Sequence, residues 1–192
     1  AADETVTINL DVSGTDLEDF DSEDAHDSKD LRIVYQVAKI IGTELDMDLM
    51  LDKISSLAGQ AVSADQVYIF LRSPGKKEFS LEASWEREPE ETPQVSRGII
   101  KRVIKFNKAV LTSDASLDER FSSSQSVMLK ALKSVICAPL VGHAQINGVI
   151  YLSSGRTTGA FRSEDLELIT AIAIQTGVAI QSLVAAQTQE RM

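Results

Sequence analysis

Three segments of this chain are apolar at every position instead of every second one: VYIFL at 67–71, VICAPL at 135–140 and VIYL at 149–152. Short runs of this kind, rich in β-branched and aromatic residues and bounded by turn signals, read as strands. A strand that is apolar at both parities cannot leave one face in water. Such strands are typical of parallel sheets, yet here the connections SPGKK at 73–77 and Gly142-His143 are too short for crossovers and make neighbouring strands antiparallel. The chain is therefore constrained to an antiparallel sheet covered on both faces.

Helices for one face come from both ends of the sequence. Ser28 stands where an N-cap belongs, and Leu31, Val34, Ala38, Ile41 and Leu45 follow at alternating spacings of three and four. A second helix, capped by Asp46 or Asp48, carries Met50, Ile54, Leu57 and Ala61 and stops at Ser63-Ala64-Asp65. Strands are expected at 66–71 and 79–85, a short helix from about Ser96 to Phe106, a strand within 109–114, a short helix at 125–132 and a second hairpin from SVICAPLV and QINGVIYLSS. A last helix, capped by Ser163 with Glu164 and Asp165 in its first turn, is expected to run to the end of the chain. The first two helices and the last can cover one face of the sheet, and the short helices and loops the other. A ligand cavity belongs between sheet and loops.

Charge is informative only once it is located. The net charge is -10, and residues 1–30 hold eleven acidic side chains against Lys29 alone, so the remainder is neutral. Residues 1–28 read as an acidic leader or linker. Within it Val6, Ile8, Leu10 and Val12 alternate with polar residues, which makes 5–12 either a short docked strand or the end of a preceding domain. The domain proper is expected over 29–192. A neutral domain lacks the basic excess of a nucleic-acid surface. One cysteine, Cys137, no secretory signal and no run of about 20 uninterrupted apolar residues point to a cytoplasmic protein off the membrane.

LRIVYQVAKIIGTELDMDLMLDKI, RGIIKRVIKFNKAVLTSDASLDERF and SVICAPLVGHAQINGVIYLSS, in this order before a long helix, resemble a GAF domain from about residue 29 to 190. The resemblance implies a PAS-related α+β fold with a six-stranded antiparallel sheet. It also implies long terminal helices on one face, short helices and loops over a pocket on the other, and parallel dimers through the terminal helices. Around the pocket it points to Asp114, Arg120 and Phe121 in DASLDERF, where Arg120 pairs either an anionic ligand or Asp114. The start of a helix at Ser126 offers free N–H groups to an anion. Phe70, Ser134, Cys137 and Tyr151 are the strand candidates for the pocket wall.

The family's ligands include cyclic nucleotides, bilins, haem and iron, and the residues here narrow the choice. For cyclic nucleotides the similar domains carry Asn-Lys, then Phe, three residues and Asp-Glu. Phe161 and Asp165 keep that spacing, but Leu166 replaces the Glu and Ser153-Ser154-Gly155-Arg156 the Asn-Lys. Cyclic-nucleotide binding is thus the alternative, and no cofactor is expected. Cys137 lacks the following His of a bilin site, and His26 and His143 are isolated, so no metal site is expected. No phosphate-cradling glycine motif, nucleophile elbow or HExxH is present, and a non-catalytic domain is expected. Arg97, Lys101, Arg102, Lys105 and Lys108 form a basic stripe, which either meets an anion or partner or is a solvated face beside the acidic loop 86–91.

Partners are expected at the helices. Leu166, Ile169, Ala173, Thr176, Ile180, Leu183 and Gln187 repeat at heptad spacing, while Leu168, Ile172 and Ala179 can face the sheet. A homodimer through this seam and through Leu31, Val34, Ala38 and Ile41 is the first expectation; packing of both stripes on their own sheet is the other. In a signalling protein the last helix would lead to a linked output domain.

Overall fold

The computed structural model describes residues 25–73, 78–89, 95–113, 134–143, 145–155 and 160–190. Among them five strands, β1 (Gln66–Arg72), β2 (Phe79–Glu86), β3 (Val110–Thr112), β4 (Ser134–Gly142) and β5 (Gln145–Ser154), form one sheet. Its order is β2-β1-β5-β4-β3 and every pairing is antiparallel. Five described strands stand where the resemblance implied six.

Alternation along the strands explains why they are apolar at both parities. Val67, Ile69, Ile136, Ala138, Leu140, Ile150 and Leu152 belong to one core, shared with the helices α1 (Ala25–Thr43), α2 (Met47–Ala61) and α4 (Ser163–Glu190). Tyr68, Val135, Cys137, Val149 and Tyr151, each of the opposite parity, belong to a second core with Ile99 and Val103 of α3 (Arg97–Phe106). Both faces are thus dry, as the both-parity strands require.

The helix side has two layers. α4 packs on β4 and β5 and α2 on β1 and β2, whereas α1 rests mainly on α2 and α4. Close approach is built in with glycine. A Cβ on Gly177 of α4 would strike the backbone of Val141, and one on Gly59 of α2 the ring of Trp85. Helix and strand backbones therefore touch almost directly at Gly177.

Local chemistry sets the helix ends. The Asp46 side chain accepts from the Leu49 N–H at 2.9 Å, which selects Asp46 over Asp48 as the cap of α2. Ser96 caps α3, accepting from Ile99 N at 3.3 Å, and Asn107 closes it in the left-handed region at φ 50°. Two expected caps are displaced. α1 begins at Ala25, so Ser28 lies inside it. In α4 the Arg162 carbonyl accepts from Leu166 N at 3.2 Å, while Asp165 Oδ2 accepts from Arg162 N at 2.8 Å. Arg162 therefore holds the capping position, and Ser163 is the first helical residue. The Asp165 carboxylate at N3 reaches back to the N–H of the capping residue, the half of a capping box that comes from inside the helix.

By length and composition α4 could cross a membrane, with a mean hydropathy of 1.8 in its most apolar stretch. Half of that stretch is buried inside the fold, which accounts for its apolar character. Its buried threonines remain satisfied: Thr170 and Thr176 donate to Leu166 O and Ile172 O at 2.6 and 2.7 Å.

Candidate functional site

The face of the sheet under α3 is where the pocket was expected. β1 contributes Tyr68 and Phe70, β5 Val149 and Tyr151, β4 Val135 and Cys137, and β3 Val110. Tyr68, Cys137 and Tyr151 lie abreast, since Tyr151 pairs with Tyr68 on one side and with Cys137 on the other. All three are fully buried. Ile99 and Val103 of α3 press onto this row, and Phe70, Val95, Ile100 and Ile104 fill its margin.

Two phenols supply the polar chemistry. Tyr151 Oη accepts from Ser96 N at 3.0 Å, so the strand centre holds the entrance of α3. Tyr68 Oη donates to Glu86 Oε1 at 2.9 Å, directed to the rim of the sheet. Burial pushes the Tyr151 phenol and the Cys137 thiol far above their ordinary ranges. Both stay neutral, and Cys137 behaves as a small hydrophobe instead of a nucleophile.

Of the residues expected at the pocket, Phe70, Cys137 and Tyr151 come together on this face. Ser134 does not join them. It shares the parity of Ile136, which faces the helix core, and its hydroxyl donates to Thr112 O at 3.2 Å. Asp114, Arg120, Phe121, Ser126 and the helix expected at 125–132 lie outside the described residues. Tyr68 and Ser96 are additions. The signal for Tyr68 is its place two residues before Phe70, and Ser96 shows itself only through the bond that its backbone makes.

The positions that match the cyclic-nucleotide pattern have intramolecular roles. Phe161 is buried in the helix-side core, and Asp165 caps α4. Ser153 Oγ donates to Gln66 Oε1 at 3.1 Å, and Asp65 Oδ2 accepts from Ser154 Oγ and Gly155 N at 3.3 and 3.1 Å. Among the described residues no group of three or more His, Cys, Asp or Glu side chains is placed to hold a metal ion.

The terminal helices form the second candidate surface. Leu166, Ile169, Ala173, Thr176 and Ile180 are buried within the chain, and Leu183 packs against the same core. A seam of these residues is not open to a second chain, because the sheet already covers it. The apolar surface left to solvent on α4 is Ile174, Val178 and Val184. On α1, Val34 and Ile41 are half-buried, whereas Leu31 and Ala38 are exposed. Ala38, Ile41, Leu45, Ile174, Val178 and Leu183 line an open groove of about 540 Å³ between the two helices.

An antiparallel sheet with long helices on one face and a short helix over an aromatic row on the other defines an α+β domain. The GAF domain profile matches residues 46–180, well over half of the chain, and the protein belongs to the GAF family, a regulatory and sensory module of signalling proteins. Solved structures agree on the fold. A GAF domain of an Acinetobacter phosphoenolpyruvate-protein phosphotransferase is 19% identical with a TM-score of 0.66, covering 85% of this chain and 97% of that one. The corresponding domain from Coxiella burnetii is 15% identical with a TM-score of 0.70, over 86% and 99%. Free methionine-R-sulfoxide reductase from Neisseria meningitidis, solved with its substrate, is 16% identical with a TM-score of 0.68, over 88% and 97%. A search of the curated proteins finds no match.

Proposed function

We propose that this GAF domain is a non-catalytic cytoplasmic sensor, which takes a small ligand on the α3 side of its sheet and passes the change through its terminal helices to a linked output domain. The observation that carries this reading is the way Tyr151 joins the two sides. Its ring lies on the α3 face and its hydroxyl holds Ser96, while its neighbours in β5, Ile150 and Leu152, pack in the helix-side core. A ligand that moves α3 therefore pulls on the strand next to α4. Residues 184–189 of α4 are exposed, which leaves this part of the helix accessible to a linked output domain. A catalytic reading has little support, since the protein's one cysteine is buried and its thiol is held neutral.

A second reading is a ligand-free dimerisation module, and one observation favours it: Tyr68, Cys137 and Tyr151 are fully buried by the chain's own side chains. Native mass spectrometry of the protein as purified, followed by thermal shift across cyclic nucleotides, amino acids and nucleotides, separates the two. A retained small molecule, or a shift of several degrees with one class, supports sensing. No retained mass and no shift leaves the dimerisation module. A response confined to cyclic nucleotides would establish that alternative despite the replaced motif positions.

A further inference from the structure

At the entrance of α3 two buried hydroxyls use their oxygens and leave their protons over. Tyr151 is fully buried and Ser96 is 2% exposed. Tyr151 Oη accepts from Ser96 N at 3.0 Å, and Ser96 Oγ accepts from Ile99 N at 3.3 Å. Among the described residues nothing accepts from either hydroxyl. A hydroxyl has one donor to place as well as its lone pairs, and a donor kept out of water without an acceptor costs stability. Buried polar groups left in that condition call for a partner from outside the chain. Here the two belong to residues already joined by a hydrogen bond, on the face of the sheet where the ligand of the sensor reading would lie.

The surroundings bear on the charge of such a partner. Burial raises both the Tyr151 phenol and the neighbouring Cys137 thiol, so this face resists negative charge on the chain's own groups. A carboxylate or phosphate on the same row would meet the same desolvation cost. A neutral carbonyl escapes that cost, and its two lone pairs can accept two protons. Phe70, Val135 and Val149 supply apolar surface on the same face for the rest of the molecule. We propose that the ligand of the α3 side is an uncharged molecule, a carbonyl on an aromatic or apolar body, and that Tyr151 Oη and Ser96 Oγ both donate to its oxygen. The proposal rests on the sensor reading above and names the chemistry of its ligand. It also gives the ligand a hold on the signal path, because Ser96 caps α3 and Tyr151 lies in β5.

Three probes of similar shape test it on the full chain: benzamide, benzoate at neutral pH, and toluene. In amide spectra of the 15N-labelled protein, benzamide at millimolar concentration should shift Ser96, Ile99 and Tyr151 saturably, and benzoate should leave them in place. Tyr151→Phe and Ser96→Ala should each weaken benzamide about fivefold, the worth of one hydrogen bond. Toluene has the ring without the acceptor, and its weaker binding should be the same in all three proteins. Should Tyr151→Phe fail to match the circular dichroism of the wild type, Ser96→Ala gives the same reading on its own. Equal losses of benzamide and toluene in the variants would overturn the proposal, since the substitutions would then only loosen α3. Benzoate acting as strongly as benzamide would overturn it and leave the sensor standing. So would silence of all three probes, the result expected if a buried water takes the two protons. Native mass spectrometry then separates the two readings, because a small molecule retained by the chain would keep the sensor while this proposal falls.

Discussion

Asp165 shows how one side chain can be read in two ways and tested in one. Its spacing from Phe161 matches a ligand motif, yet its Oδ2 receives the Arg162 N–H at 2.8 Å and closes the first turn of α4. Burial raises its pKa, the Arg162 N–H works against the rise and the neighbouring Glu164 adds to it. A raised value means that the native state holds this proton more tightly than the unfolded chain does. The group's contribution to stability is thus fully present below the unfolded carboxylate pKa of about 3.9, and it is lost as pH rises through the higher native value. Asp165→Asn keeps an acceptor for Arg162 N and removes the titration. Urea midpoints measured against pH should show the wild type losing stability relative to Asp165→Asn as pH rises through that window, with parallel curves above it. Curves that stay parallel throughout would remove desolvation as the cause.

At the scale of elements, Gly177 fixes how α4 lies on β4. A Cβ there would meet the Val141 backbone, and from the facing strand a Cβ on Gly142 would approach Gly177 O to 2.7 Å and Asn147 Nδ2 to 2.8 Å. Backbone cannot rotate out of the way as a side chain can, so Gly177→Ala should lift the helix and cost about 1–3 kcal/mol. Gly42 in α1 is the control. Nothing lies within 4 Å of its missing Cβ, and Gly42→Ala should gain roughly 0.5–1 kcal/mol. Denaturant midpoints of the two variants on opposite sides of the wild type would bear this out. The contrast also shows what was legible in the sequence. The both-parity strands, a cap of α2 at Asp46 or Asp48 and a short helix from about Ser96 to Phe106 follow from local chemistry, and the structure has them, with Asp46 as the cap. The assignment of Ser134 to the pocket wall needed a register that parity alone sets, and the displaced start of α4 arose because Asp165 caps from inside the helix. The heptad reading of α4 met a different obstacle. Leu168 and Ile172 are buried beside Leu166 and Ile169, and a helix apolar around most of its girth satisfies a seam and a sheet-facing stripe equally, so only the position of β4 decides between them.

For the whole molecule the open question is what covers the outer face of α1 and α4. Leu31, Tyr35 and Leu45 are 62%, 69% and 83% exposed, and Ile174, Val178 and Val184 are 40%, 47% and 42% exposed. Exposed apolar side chains on two adjoining helices are the reason for proposing an interface here. The groove between them, lined by Ala38, Ile41, Ile174 and Val178 among others, is the place proposed for a helix of a second copy. A stable dimer buries about 800 Å² per partner, so the interface would have to extend beyond the groove along both helices. Dimerisation through the terminal helices therefore stands as a proposal on these residues, in place of Leu166, Ile169, Ala173, Thr176 and Ile180, which the sheet already buries. Sedimentation velocity of the wild type at micromolar concentration should give a dimer. The double substitution Ile174→Glu/Val178→Glu places like charges across the interface and should give a monomer. Because both positions are exposed in the single chain, the variant should keep the wild-type circular dichroism and lose thermal stability only by the share that association contributes, a share that grows with protein concentration. A wild type that remains monomeric at high micromolar concentration, or a variant that remains dimeric, would show that this face covers no second copy and would leave α4 to pass its signal as a single helix.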